Sequence, residues 1–489
     1  MKKYWPIVLG LVSLSSWAAP PTIPSSVNTR PFASYDEAPA TVDADDPAIW
    51  VHPERPGDSL IIGTLKDAGL VVYDLRGRVV QLIAPPNLPT ILHQDPPTPA
   101  GLNLGPANPC RESDGETFGR FNNVDVAYGV RFGKQRRDVA VVTDRGCDRL
   151  RVYAIDPDHP HGPLVDITAD DVPRVYPWRV VQPSPIQPAE LDAGLQANPL
   201  DDQDTGYGVG LWHDGDDLYA FVSQRNRSTV QQLKLSAAPG GKVTYRPVRA
   251  FLFDPNFRLK ERGAQALRWT PCRENAKEDP QSEGILIDPA SETLYVAFET
   301  IGVYRIPLHH RLPSALRIGR EFLFEPVQSF GKPYHAVPDD DEFECEYDAE
   351  GEPEDGTIVA AGSDAFAGAN LAVDVEGLAF YETGRKSGYL VVSSQGDNTF
   401  HLYDRRGSNR HLGAFTVEQT GDSDGVAITS APLGRGFPDG IVAVQNGEAE
   451  DPANTDPING FEYDGSTQFR FVDWRKIAKA LRLEADRAR

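Results

Sequence analysis

From Asp43 onward the chain repeats one pattern, and this repeat constrains its fold more than any other feature. Each copy opens on a polar or acidic residue and runs through an alternating apolar strand. A turn leads to a second apolar strand, which ends on a polar residue in a loop, and a third strand usually closes the copy. Six copies can be read, opening at DDPAIWVHP, NNVDVAYGV, GYGVGLWHD, SEGILIDPA, DVEGLAFYE and DSDGVAITS. The opening and loop residues pair as Asp46 with Lys66, Asp125 with Arg145, Tyr207 with Arg225, Glu283 with Glu299, Glu376 with Gln395 and Asp424 with Gln445. Two strands of ~5–6 residues joined by a hairpin turn fill such a span.

In an antiparallel hairpin the start of the first strand and the end of the second lie side by side. Each copy therefore brings its opening residue next to its loop residue. Repeated four-stranded units of this kind close radially, with the first strand of each on the axis. The expected fold is all-β: a six-bladed β-propeller of antiparallel four-stranded blades, with long inserted loops and a short C-terminal helix. Asp45, Asp46, Asp125, Glu283, Asp374, Glu376, Asp422 and Asp424 would then crowd one funnel. Carboxylates that close do not all stay ionised unless a cation joins them. Hard oxygen donors without paired His or Cys favour Ca²⁺, while Lys66, Arg145 and Arg225 on the same face favour an anion such as phosphate. A plainer reading stands beside this one. Asp-Gly and Glu-Gly at strand starts are common turn chemistry, and calcium in exported β proteins is often only a staple.

The net charge of −23 excludes nucleic acid and anionic membranes as partners. Residues 1–18 read as a secretory signal: Lys2 and Lys3, then an apolar core from Trp5 to Leu14, then Ser16-Trp17-Ala18 with cleavage after Ala18. Residues 19–42 read as an extended segment and 43–489 as a single propeller domain, periplasmic or secreted and expected to be a monomer. No later stretch has the apolar length of a membrane span. Four cysteines in an exported chain point to two disulfides. Three pairings are open, with free buried thiols as the alternative; Cys110 with Cys147 and Cys272 with Cys345 is the expected pairing because each pair flanks neighbouring blades. Insertions fall near 84–120, 254–280 and 328–370. The acidic run of the last reads as a solvated surface loop, with binding of extra cation or cover of the funnel as the alternative. Trp474 to Arg489 reads as a basic amphipathic helix. The histidine-phosphatase motif RHGxRxP, the Cys-x₅-Arg loop, GxxxxGK[ST] and GxSxG are all missing.

DADDPAIW, NNVD, SEG, DVEG with SSQG, DSDG and the late FVDWRKIA occur in one order with matching spacing. Together they resemble the β-propeller phytases, the alkaline, calcium-dependent phytase family. The resemblance implies a phosphoric monoester hydrolase of the 3-phytase type. It would act on myo-inositol hexakisphosphate (phytate, taken as its Ca²⁺ complex) through metal-activated water and several Ca²⁺ ions. By position it implies phosphate contacts from Lys66, Arg145, Tyr207 and Arg225, and catalytic roles for Glu283 and Glu376. The calcium ligands would be Asp46, Glu283, Glu299, Asp374, Glu376, Gln395, Glu418 and Asp424. Arg225 stands where the family has Lys, and Glu418 where it has Asp. Asn446-Gly447-Glu448-Ala449 replaces the family's DGEN, and Glu37 is the nearest candidate for an upstream acid. A broader phosphomonoesterase or phosphodiesterase on the same scaffold, or a silent calcium-binding propeller, are the alternatives.

Overall fold

The computed structural model describes residues 19–35, 42–84, 119–177, 203–309, 312–340, 342–450 and 461–483. The signal segment, Glu37, Cys110 with most of the first insertion, and the last six residues lie outside these. The described residues are almost entirely β. Each sequence copy forms one antiparallel sheet in which consecutive strands are neighbours. In the first sheet these are Pro47–Trp50, Leu60–Thr64, Leu70–Asp74 and Val79–Ile83. The other five sheets begin with Phe121–Phe132, Gly206–Asp214, Ser282–Asp288, Val375–Gly384 and Val426–Thr429. Each of these six first strands touches the first strands of the two sheets beside it, and the last touches Pro47–Trp50 again. That ring is the propeller axis. The second strands are sandwiched between sheets: Leu60–Thr64, Thr293–Phe298 and Ile441–Asn446 are buried along their whole length.

Asp-Gly and Glu-Gly are not turn chemistry here. Gly208, Gly284, Gly377 and Gly425 are absent from the positive-φ glycines. What they share is close approach between sheets. A Cβ on Gly208 would overlap the carbonyl oxygen of Glu283, and one on Gly284 would overlap that of Glu376. A Cβ on Gly377 would lie 2.6 Å from Val426 N, and one on Gly425 2.6 Å from Asp46 Cα. Each glycine lets the next sheet's opening residue reach the axis. Gly284→Ala is accordingly expected to lower stability by about 1–3 kcal/mol, the usual cost of overpacking a close contact. The urea midpoint measures this, and an unchanged midpoint would show that the sheets have room to spare.

The N-terminal segment closes the ring. Its Val27–Asn28 and Phe32–Tyr35 pair with Tyr463–Asp473, the third strand of the last sheet. Thr22–Ile23 adds in parallel to the outer strand His411–Val417 of the fifth. The C-terminal helix is shorter than its sequence suggests, covering Trp474–Ala480. Trp474 stacks on Tyr381 with centroids 3.7 Å apart, and Ile477 is fully buried.

Two insertions are built rather than loose. Residues 254–280 hold a small hairpin, Phe257–Leu259 with Leu267–Trp269. The acidic run folds into a three-stranded sheet of Glu342–Glu346, Tyr334–Asp339 and Ile358–Ala360, so it is not the simple solvated loop its composition suggests. Its exposure alternates, with Glu342, Glu344 and Glu346 outward and Phe343, Cys345 and Tyr347 inward. The Cys272–Cys345 disulfide ties the two insertions together. Cys147 is also disulfide-bonded; its expected partner, Cys110, lies outside the described residues.

Candidate functional site: a divided cup at the mouth of the axis

Four of the first strands lose register at the same point. The shifts fall between Phe121 and Val124, Gly206 and Val209, Ser282 and Ile285, and Val375 and Leu378. Each gap holds two residues, and a bulge of this kind re-aims the side chains it frees. The first residues of the four gaps are Asn122, Tyr207, Glu283 and Glu376. The residue directly after each second strand is Arg145, Arg225, Glu299 or Gln395. Its N–H donates to the carbonyl two residues before the bulge: Arg120 (2.7 Å), Thr205 (2.9 Å), Gln281 (3.3 Å) and Asp374 (2.8 Å). Each of these sheets thus presents three equivalent positions at the mouth. Lys66 enters from the first sheet on a left-handed backbone, φ 42°.

This corrects the second copy. Its opening residue is Asn122, three positions before Asp125. The Asp125 carboxylate is spent on backbone, accepting from Val126 N at 2.7 Å and Leu211 N at 2.8 Å. Asp46 Oδ2 accepts from Val124 N at 3.0 Å in the same way.

The cup is divided by charge. Glu283, Glu299 and Glu376 each offer an oxygen within 4.8 Å of the other two. Burial first, then the neighbouring carboxylates, holds Glu299, Glu376, Asp45 and Asp424 well above the usual carboxylate range. Burial followed by Glu283, Glu299 and Glu376 likewise pushes up the Tyr207 phenol. Both Asp45 carboxylate oxygens, Glu299 Oε1 and Glu376 Oε2 are buried without a hydrogen-bond partner. Groups in that state cost free energy unless something binds them. An oxygen-only donor set of this density fits a hard divalent cation. Gln281 Nε2 donates to Glu299 Oε2 at 2.9 Å, and Asn122 Nδ2 to Glu283 Oε1 at 3.0 Å. Gln395 Nε2 donates to Asp422 at 2.6 Å and to Asp424 at 2.5 Å.

Cationic side chains border these acids. Lys66 Nζ lies 2.6 Å from Asp43, 3.8 Å from Asp45 and 4.0 Å from Asp424. Burial alone would lower its pKa, but these three acids outweigh it and raise it. Arg145 donates through Nε to Gln203 (2.8 Å) and through Nη1 to Asn122 (2.9 Å), with its guanidinium over the Tyr207 ring. Burial, then Arg120 and Arg225, lowers its pKa to about 9. Cations that repel one another in a buried place are arranged for an anion.

Of the residues expected from sequence, Lys66, Asp46, Arg145, Tyr207, Arg225, Glu283, Glu299, Asp374, Glu376, Gln395 and Asp424 meet at this mouth. Glu418 does not join them. It follows the outer strand of the fifth sheet, its N–H bonded to Ile23 O and its carbonyl accepting from Arg470 Nη1 at 2.7 Å. Sequence reading placed Asp45 in the funnel but not among the implied calcium ligands, and it missed Asn122 and Arg120 altogether. The signal for Asn122 was its place two residues before a valine, the spacing of Glu283 and Glu376 from the next apolar residue. Beside the acidic half opens a cleft of about 570 Å³ between Glu299, Asp374 and Gln281 on one side and Glu342, Glu344 and Tyr347 of the insertion on the other.

The buried acids give a pH dependence. Burial pushes Asp125 up to about 6 and Asp148 up to about 8, against the hydrogen bonds that would lower them. Both keep a proton in the folded chain where the unfolded chain has lost it near pH ~4. Their contribution to stability is therefore complete below that pH and is lost as pH rises through 6 and then 8. Chelator-treated protein should show a higher urea midpoint at pH 5 than at pH 8.5, and a midpoint rising across that window would contradict these assignments.

A family model described as Phytase matches residues 14–86 and 327–488. A curated relative, the 3-phytase of Bacillus subtilis (strain 168), is 27% identical over 469 residues, covering 94% of this chain and 85% of the relative. Among solved structures, a chain from "Crystal Structure of Mitotic Checkpoint Complex" aligns over 91% of this chain and 96% of its own. Its TM-score is 0.34 at 8% identity, a likeness too slight to argue from. The ordered match at both ends of the propeller and the near full-length relative agree in likening this chain to the phytases.

Proposed function

We propose that this protein is a calcium-dependent phytase that hydrolyses phosphate monoesters of myo-inositol hexakisphosphate by attack of water, without a phosphoenzyme. The observation that carries this reading is the divided cup, where four buried, unpartnered carboxylate oxygens face a group of cationic side chains. Divalent cations, when bound there, supply neutralisation of the carboxylates and acidify water. Glu283, Glu299 and Glu376, with Asp45, Asp46, Asp374, Asp424 and Gln395 around them, are the residues that would hold them. Arg145, Arg225 and Lys66 hold the non-bridging phosphate oxygens as negative charge shifts onto them. Tyr207 keeps its proton and so has an O–H to donate, because burial and three glutamates oppose its ionisation.

Arg225 in place of the family's Lys changes a point charge for a planar fork, suited to two oxygens of one phosphate. The disulfide Cys272–Cys345 supports an exported, periplasmic or extracellular protein, which on this reading acts as a single propeller domain and a monomer. No helix among the described residues is long and apolar enough to cross a membrane. The test is phosphate release from inositol hexakisphosphate and from an aryl phosphate, with Ca²⁺ and with chelator. Release from hexakisphosphate that chelator abolishes and Ca²⁺ restores is expected. Release that ignores chelator would remove the metal from the reaction, and release from the aryl ester alone would favour the broader phosphatase.

A further inference from the structure

The acids gather at the mouth, and the opposite end of the fifth and sixth sheets has the other sign. Four turns meet there. In the fifth sheet the hairpin 382–387 lies beside the turn 404–410, since Tyr389 pairs with Asp404. In the sixth, Ile441 pairs with both Thr429 and Asp473, so the loop 430–440 and the C-terminal helix leave from one end. Tyr381 joins the two sheets: its hydroxyl donates to Asp439 O at 2.8 Å, and its ring stacks on Trp474. Residues 382–387, 404–410, 430–440 and 473–482 hold ten Lys or Arg against four Asp or Glu, where the whole chain has 48 against 71.

Three of these four acids are already spent. Glu382 pairs with the buried Arg405 at 2.7 Å, Asp404 with Arg406 at 3.3 Å and Asp473 with Arg475 at 2.6 Å. Lys476 is used as well, donating to Pro24 O and Ser25 O. Arg385, Lys386, Arg410, Arg435, Lys479 and Arg482 are left, all exposed and none in an ion pair among the described residues. Of the acids in these turns, Asp439 alone remains to balance them. The apolar side of the helix is committed to the sheets, with Trp474 and Ile477 buried, so binding through this end would be electrostatic.

The net charge of −23 argues against an anionic partner only if the acids act at this end. The strand Val375–Gly384 runs from Glu376 at the mouth to the hairpin, and at ~3.3 Å per residue it holds the two ends roughly 25 Å apart. Screening acts over ~8 Å at physiological salt, so the local excess of cations decides what this end attracts. The six side chains come from four separate turns and stand in solvent. Such an array matches many anions spread over a surface rather than one phosphate. Lys and Arg near an anionic leaflet each add to its attraction, and a disulfide-bonded exported chain meets such leaflets.

We propose that this end of the propeller docks on membranes carrying anionic phospholipid and holds the acidic mouth away from the surface. The docking does not depend on the phytase reading.

The experiment is co-sedimentation of the full chain with vesicles of phosphatidylcholine, with and without phosphatidylglycerol. Chelator is present, so that no divalent ion bridges acids to lipid. Binding only to vesicles with phosphatidylglycerol, lost at high salt, is expected. Replacing three of the cations, as Arg385→Ser, Lys386→Ser and Lys479→Gln together, should weaken binding about a hundredfold. The control removes the same charge from exposed positions in the insertion hairpin, as Arg258→Ser, Lys260→Ser and Arg262→Ser, and should bind within about threefold of the parent. Equal loss in the control, binding to phosphatidylcholine alone, or no binding to any vesicle would overturn the proposal. Binding to duplex DNA with the same dependence on the three cations would make the end a general polyanion site. Self-association that the first triple variant abolishes would make it an interface between copies, and either result also overturns the proposal.

Discussion

A Glu376→Gln chain is expected to release phosphate from inositol hexakisphosphate about a hundredfold or more below the parent rate while keeping its fold. Loss of a group that merely orients a metal ligand costs about 10–100-fold, and Glu376 is placed as a ligand itself. Its Oε2 is buried and unpartnered beside Glu283 and Glu299. Gln keeps the shape but removes a charge and turns N–H groups toward oxygens that should face a cation. Because the charged acids repel one another in the absence of metal, the variant should be at least as resistant to urea as the parent in chelator. Phosphate release in excess Ca²⁺, read with the urea midpoint, separates the two effects. A rate within threefold of the parent would remove Glu376 from the chemistry.

The second large effect is expected of Arg145→Ala, at about 10²–10³ in kcat, the usual loss when a pre-organised donor to a developing anion is removed. Arg145 is held on three sides, by Gln203, by Asn122 and by the Tyr207 ring. Asn122 also donates to Glu283, so this residue links the cationic half to the acidic half. Arg145→Lys should fall between parent and alanine, since a single ammonium does not reproduce a fork that bonds Gln203 and Asn122 together. A lysine variant as slow as alanine would mean that geometry, not charge, is what Arg145 supplies. An alanine variant near the parent rate would reject its role.

Much of this arrangement was legible because its cause is periodic. The hairpin spacing places Glu283 with Glu299 and Glu376 with Gln395 at one end of their sheets, and the ring brings those ends together. The bulges were not legible. A bulge adds a residue without changing the apolar alternation enough to mark where register is lost, so Asp125 stood in the place that belongs to Asn122. The glycines after Tyr207, Glu283, Glu376 and Asp424 look like turn residues in a one-dimensional pattern. Only contact between sheets distant in sequence shows that they make room for a neighbour. The acidic insertion was misread for a similar reason. Its charge describes its outer face, while Phe343, Cys345 and Tyr347 on the inner face need the partner hairpin at 257–269 to pack against. Glu418 follows the order of the family's motifs, yet it sits beyond an outer strand, away from the axis.

Calcium titration of chelator-stripped protein by calorimetry tests the divided cup most directly, with the parent chain compared against a Glu299→Gln, Glu376→Gln double variant at pH 7.5. Binding to the parent and loss of at least one ion's worth of heat in the double variant, with an unchanged far-UV spectrum, is the expected result. Identical isotherms in the two proteins, or no heat in the parent, would mean that the acids at the mouth of the ring hold no cation and that the proposed chemistry is wrong.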